Sequence, residues 1–169
     1  MIKKWDNKIF FKLYNFTVSH KKIAEFAVLF TNYSSKFFSM IYFAAAVYLI
    51  YYSDSRIRVF ILIPAAVYLT AKLIPLLYNR RRPFAEYSLK GLVKQRKDHS
   101  FPSTHSSSSM IISLAVLNIN FLLGVLMILL AALTALSRIM VGVHYPTDIL
   151  GAWLLSLIFH FVGMDTLIL

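Results

Sequence analysis

At 169 residues, 59% of them hydrophobic and with a mean hydropathy of +0.66, the chain is more apolar than soluble domains and belongs in a bilayer. The net charge of +11 is patchy: seven of the 18 Lys/Arg lie between Arg80 and Lys97 and four lie within the first twelve residues. These cations punctuate hydrophobic spans and form no solvated basic face, which argues against nucleic acid and for a membrane surface or an anion. The absence of cysteine excludes disulfides and thiolate metal sites.

In chain order, the N-terminus (Met-Ile-Lys-Lys-Trp-Asp-Asn-Lys) has no small-residue cleavage site and is expected to be retained. From Trp5 to Val18, Phe10, Phe11, Leu13 and Tyr14 fall among Lys8, Lys12 and Asn15, the pattern of an interfacial amphipathic helix occupying residues 1–20. Ala24 to Thr31 is apolar but short, so a first crossing there must tilt or join its neighbours. A helix needs about 20 mostly apolar residues to span the hydrocarbon core. Phe37 to Tyr52, Val59 to Tyr78, Leu122 to Val141 and Ile149 to Leu169 meet or nearly meet this, and Ser103 to Asn118 is a shorter fifth candidate. The expected fold is therefore a single all-α domain over 1–169, a polytopic helical bundle with six transmembrane helices, or five. The one sizeable polar loop, residues 79–102, is the expected seat of function, since long loops in compact proteins are disproportionately functional.

Counting crossings puts three polar clusters at one end of the bundle. The first is Lys72 followed by Asn79-Arg80-Arg81-Arg82-Pro83-Phe84; guanidinium forks bind phosphate oxygens and an ammonium adds a point charge, although flanking arginines also occur as topology signals. The second is Ser100-Phe101-Pro102-Ser103-Thr104-His105, where Pro102 and Ser103 look like a first helical turn with amides free for an anion, and His105 can donate a proton to a leaving oxygen. The same residues would also suit an ordinary Ser cap. The third is Ser137-Arg138 with His144 and Asp148. If that stretch is helical, the last two share a face, so the carboxylate can hold one imidazole nitrogen and leave the other free. Arg138 lies at the end of a hydrophobic helix, where an ionisable side chain is costly and functional by default.

These residues resemble the signature of the type 2 phosphatidic acid phosphatase (lipid phosphate phosphatase) superfamily. Arg82-Pro83, Pro102-Ser103-Thr104-His105 and Ser137-Arg138 with His144 and Asp148 match its three parts in order. Thr104 replaces the family's glycine, and Pro75 stands where the family usually has a basic residue. Lys72, three residues earlier, is about 4.5 Å away along a helix axis and within reach, with Arg80 or Arg81 as substitutes.

The resemblance implies a metal-independent, cofactor-free phosphatase. His144 would be the nucleophile, Asp148 its orienting carboxylate and His105 the general acid and then base. Arg82, Arg138, Lys72, Ser103, Thr104 and Arg81 would bind phosphate. The small size and the Arg-Pro-Phe and His-Tyr-Pro-Thr-Asp forms are similar to small bacterial enzymes acting on undecaprenyl diphosphate. Phosphatidate, phosphatidylglycerophosphate and lipid A phosphate are the alternative substrates, and the loop residues Lys90, Lys94, Arg96 and Lys97 could supply a second anion site. A non-catalytic lipid-phosphate binder and a flippase remain as other classes. The implied partners are a lipid phosphate and the bilayer, and the oligomeric state is left open. The expected location is the cell membrane with the site facing away from the cytoplasm, an orientation favoured if the N-terminal lysines and Arg56 with Arg58 lie together inside.

Overall fold

The structure, a computed structural model, describes residues 2–167, and among them every regular element is helical. In order these are α1 (Ile2–Ser19), α2 (Lys21–Tyr51), α3 (Ile57–Leu77), α4 (Pro83–Glu86), α5 (Thr104–Leu117), α6 (Phe121–Met140) and α7 (Pro146–Leu167). The two apolar stretches 24–31 and 37–52 are one helix. The residues between them, Asn32-Tyr33-Ser34-Ser35-Lys36, are polar but include neither Pro nor Gly, so nothing breaks the hydrogen-bond ladder. A separate first crossing is therefore not formed. By length and composition, α2, α3, α6 and α7 can each cross a membrane.

The 14-residue α5 is the hub, packed against α2, α3, α6 and α7. Its serines make this possible. Small side chains let neighbouring backbones approach, and their hydroxyls bond within the helix, Ser107 to the Thr104 carbonyl (3.1 Å), Ser109 to Ser106 (3.2 Å) and Ser113 to Ser109 (2.7 Å). The Ser107 carbonyl also accepts from the Ser156 hydroxyl of α7 at 3.0 Å. The turn into α6 is closed by Asn120, whose side chain caps the Leu123 amide at 2.9 Å.

α1 packs one face, Asp6, Phe10, Tyr14 and Thr17, onto the bundle, with Phe10 and Tyr14 against Ala135, Ile139, Tyr145 and Ile149. An adjacent face leaves Trp5, Ile9 and Phe16 exposed. This helix lies at the same end as the 79–102 loop: Tyr14 donates to the Lys90 carbonyl (2.8 Å), and Lys3 pairs with Glu86 (3.1 Å). The opposite end carries Asp54, Arg56 and Asn118, where Arg56 donates to the Asn118 carbonyl at 2.6 Å. The N-terminal lysines and Arg56 thus occupy opposite ends, which corrects the expectation that they share one side. Because the two apolar stretches form one helix, the N-terminus starts at the loop end. His160 lies away from that loop and lines a small cavity with Arg56 and Asn118.

Candidate active site

Residues 79–82 form an irregular link into α4, with Arg82 extended and Arg80, Arg81 and Arg82 differing in burial. Arg80 and Arg82 turn inward. Arg81 is exposed and lines a cleft of ≈ 680 Å³ with Lys94 and Lys97, so it does not join Arg82. The loop doubles back on itself through Arg82 N–H to the Lys97 carbonyl and Ser100 N–H to the Arg80 carbonyl, both 2.9 Å. The buried Arg82 guanidinium then donates to the carbonyls of Asp98 (3.1 Å), His99 (3.3 Å) and Val143 (3.1 Å). Asp98 and His99 therefore contribute backbone carbonyls to the site.

The third cluster is built at the junction of α6 and α7. Met140 ends α6, and Gly142 at φ +86° reverses the chain, a conformation that favours glycine. Tyr14 of α1 packs on that glycine, 3.1 Å from where a Cβ would stand. Pro146 then opens α7, so His144 lies in the turn and not on a helix. The spacing to Asp148 works by capping: Asp148 reaches back from the first turn, and its Oδ2 accepts from the Tyr145 amide at 2.8 Å. Oδ2 also accepts from Ser100 Oγ (2.6 Å) and lies 3.4 Å from His144 Nδ1, close enough to orient the ring electrostatically though not aligned as a hydrogen bond.

The tautomer follows from Arg82. Its Nη1 is 3.0 Å from His144 Nε2, and a guanidinium can only donate. Nε2 therefore presents a lone pair and the ring proton sits on Nδ1, toward Asp148. Burial pushes His144 down to about 4, against the pull of Asp148 and helped by Arg82 and Arg138, so the imidazole is neutral near pH 7.

Arg138 decides what this arrangement can hold. It is 1% exposed, and its Nε and Nη2 have no hydrogen-bond partner. Buried polar groups are almost always paired, so two orphaned N–H groups on a buried cation call for an anion. Arg138, His144, Arg82 and Lys72 all lie within electrostatic reach of His105. His105 opens onto a cavity of ≈ 280 Å³ also lined by Lys72 and Thr104, with the hydroxyl residues Ser35, Ser39, Ser108, Ser109 and Thr134 around it. Lys72 sits over the Tyr68 ring at 5.5 Å and faces this cavity, as its position one turn before Pro75 requires.

Other expected residues are placed differently. Ser103 precedes α5 and is engaged as its cap: its hydroxyl meets Ser106 Oγ at 3.0 Å, and its amide donates to the Asp148 carbonyl at 3.2 Å. Pro102 and Ser103 thus precede the helix that begins at Thr104. Arg80, weighed as a substitute for Lys72, is taken up by Asp148 (2.7 Å), Thr147 (2.7 Å) and Asp6 (2.7 Å) and stacks 4.0 Å over Tyr145. Burial alone would lower its pKa, yet Asp148 and Asp6 raise it above the ordinary value. Asp6 lies outside the three sequence clusters, and Ser100, a member of the second, turns out to hold Asp148. A lone acid on the bundle-facing side of a lysine-rich helix was the available signal for Asp6.

Over residues 56–167, more than half of its length, the sequence matches the model of the PAP2 superfamily. The chain belongs to the PAP2 superfamily. Among curated proteins it is 39% identical over 90 residues to the undecaprenyl-diphosphatase BcrC of Bacillus subtilis (strain 168). It is 37% identical over 83 residues to the putative undecaprenyl-diphosphatase YbjG of Escherichia coli (strain K12). These matches cover 53% and 48% of this chain and 47% and 42% of those proteins, so the chain spans about half the length of the curated relatives it matches. Among solved structures, Aquifex aeolicus LpxE superposes with a TM-score of 0.75 at 20% identity, covering 94% of this chain and 93% of LpxE. A PAP2 type phosphatidylglycerolphosphate phosphatase from Bacillus subtilis gives 0.72 at 20% identity, covering 97% and 85%. Both likenesses show that the helical fold is shared.

Proposed function

We propose that this chain is a membrane lipid phosphatase that converts an isoprenyl diphosphate, undecaprenyl diphosphate, to the monophosphate through a phosphohistidine. The observation that carries the reading is the buried, unpaired Arg138 edge at the same site as a His144 Nε2 lone pair. Phosphate oxygens would satisfy Arg138 and Arg82, drawing Arg82 off Nε2 and bringing phosphorus into line with it. Nε2 then bonds to the terminal phosphorus as the bridging P–O bond breaks. The negative charge of the bound diphosphate favours the imidazolium form of His105, which gives its proton to the leaving lipid phosphate, and Asp148 offsets the charge gained by the His144 ring. Water, deprotonated by His105, attacks the phosphohistidine and releases inorganic phosphate. Lys72, Arg138 and Arg82 stabilise the equatorial oxygens, the electrostatic contribution on which phosphoryl transfer chiefly depends. No step calls on a metal.

Likeness to the two undecaprenyl-diphosphatases supports the substrate class. The test is a panel of undecaprenyl diphosphate, phosphatidate and phosphatidylglycerophosphate with EDTA present. Undecaprenyl diphosphate is expected to give the highest kcat/KM, and preference for a glycerophospholipid would reassign the substrate. Lipid translocation in liposomes without phosphate release would instead indicate a flippase, and binding without turnover a non-catalytic protein.

The site end is proposed to face away from the cytoplasm, where a lipid carrier released during wall assembly would present its diphosphate. Arg56 and Arg58 would then mark the cytoplasmic end. Because the chain lacks cysteine, a Gln95→Cys variant tests this cleanly. An impermeant maleimide should label it in intact cells, and labelling only after lysis would reverse the orientation.

A further inference from the structure

Asp6 is buried in α1 to 2% exposure, and each of its contacts is with the site. Its Oδ1 accepts from the Thr147 amide (2.9 Å), capping α7 from a distant helix, and its Oδ2 accepts from Thr147 Oγ1 (2.5 Å) and Arg80 Nη2 (2.7 Å). The other arm of Arg80 reaches Asp148 Oδ1 at 2.7 Å. Asp6 is not the sole anchor of α1. Phe10 and Tyr14 bury there, and a buried ion pair adds specificity more reliably than stability. What the pair fixes is charge order, running Asp6, Arg80, Asp148, His144.

We propose that Asp6 is a positioning residue for phosphoryl transfer: by holding one arm of Arg80 and the first turn of α7, it sets the Asp148 carboxylate against His144. The proposal rests on the reading of His144 as nucleophile. Asp148 must pull on the ring as the P–N bond forms, and the Arg80 cation competes for that pull. Asp6 neutralises Arg80 and restores it. The other charged or titratable groups around these contacts are Lys3 of α1, Glu86 of α4, Arg82 and Asp98 of the loop, Tyr145, Arg138 of α6, His105 of α5 and Lys72 of α3; α2 offers the adjoining cavity only Ser35 and Ser39 as polar side chains.

The experiment measures farnesyl diphosphate hydrolysis in detergent by the full chain and by Asp6→Asn, Arg80→Gln, the double variant and His144→Ala, with Lys8→Gln as a control on the outer face of α1. Asp6→Asn should lower kcat by roughly 10- to 100-fold, by analogy with the loss of an outer-shell partner behind a metal-bound histidine, with KM within about twofold of wild type. The double variant should be no slower than Arg80→Gln, because the two act as one unit. Removing the Asp6 anion leaves Arg80 opposing the imidazolium, so the acid limb of kcat/KM moves to lower pH, whereas removing the Arg80 cation moves it to higher pH. The limb is read against each variant's own maximum and does not depend on the folded fraction. Wild-type kinetics for Asp6→Asn, additive losses in the double variant, or limbs moving in the same direction would each overturn the proposal while a dead His144→Ala left the phosphatase reading intact. An active His144→Ala would overturn both.

Discussion

His144→Ala is expected to lower phosphate release by ~10⁴-fold or more while the protein keeps its fold, because a nucleophile has no substitute within a rigid site. The side chain is 1% exposed, but its removal deletes a polar ring whose Nδ1 has no aligned hydrogen bond, so the loss should fall on chemistry more than on stability. A rapid-quench experiment with a terminally labelled diphosphate should trap an acid-labile, base-stable phosphoenzyme in wild type and none in His144→Ala. A variant that still turned over at wild-type rate would remove His144 from its role. The pH dependence follows with its sign. Burial holds the folded imidazole at about 4, below its ordinary 6.5, so the reactive neutral form persists as pH falls through 6 and is lost only near the lower value. The acid limb of kcat/KM should therefore sit well below 6.5. A limb at or above 6.5 with both a monoester and a diphosphate would show that burial does not set the state of the nucleophile.

Arg138→Met should produce opposite changes in activity and stability. A guanidinium with two orphaned N–H groups at 1% exposure destabilises the resting protein, because its desolvation is not repaid by partners. Methionine fills similar volume without charge, so the variant should unfold at higher temperature in detergent. Its activity should fall by ~10²- to 10³-fold, the scale of losing one preorganised donor to a transition-state oxyanion. Vanadate, which adopts the geometry of the transition state, should raise the unfolding temperature of wild type, since a ligand at 100 times its Kd adds ~2.7 kcal/mol. The same addition should leave Arg138→Met unmoved. If the variant were instead less stable than wild type and still responded to vanadate, Arg138 would be a structural cation.

The relation between the two charged clusters explains why these effects separate. Arg80 is fully partnered by Asp6, Thr147 and Asp148, whereas Arg138 keeps open donors. Neighbouring arginines on one loop also differ in role, since Arg81 faces a cleft and Arg82 faces the histidine. Adjacency in the sequence says nothing about this, because in an irregular link outside any helix the direction of each side chain is set by its own backbone and partners.

The chain's own residues were enough to point to a membrane helical bundle, and they nominate the 79–102 loop and the set His105, Arg138, His144 and Asp148 as its candidate site. Hydropathy and the energetic cost of polar groups at membrane depth are local properties, and they are written directly into residue order. Four other features emerge only in the structure. The 24–31 and 37–52 stretches fused into α2, which placed the N-terminal lysines at the site end. Asp148 meets His144 through a helix cap and not along a helical face. Ser103 became a cap, leaving Thr104 at the cavity. Asp6 entered the site from 142 positions before Asp148 along the chain. The continuous α2 and the two caps are local outcomes that residue order permits without specifying, whereas the place of Asp6 depends on which buried charge finds which partner across the bundle, a pairing settled by packing geometry that no local pattern encodes.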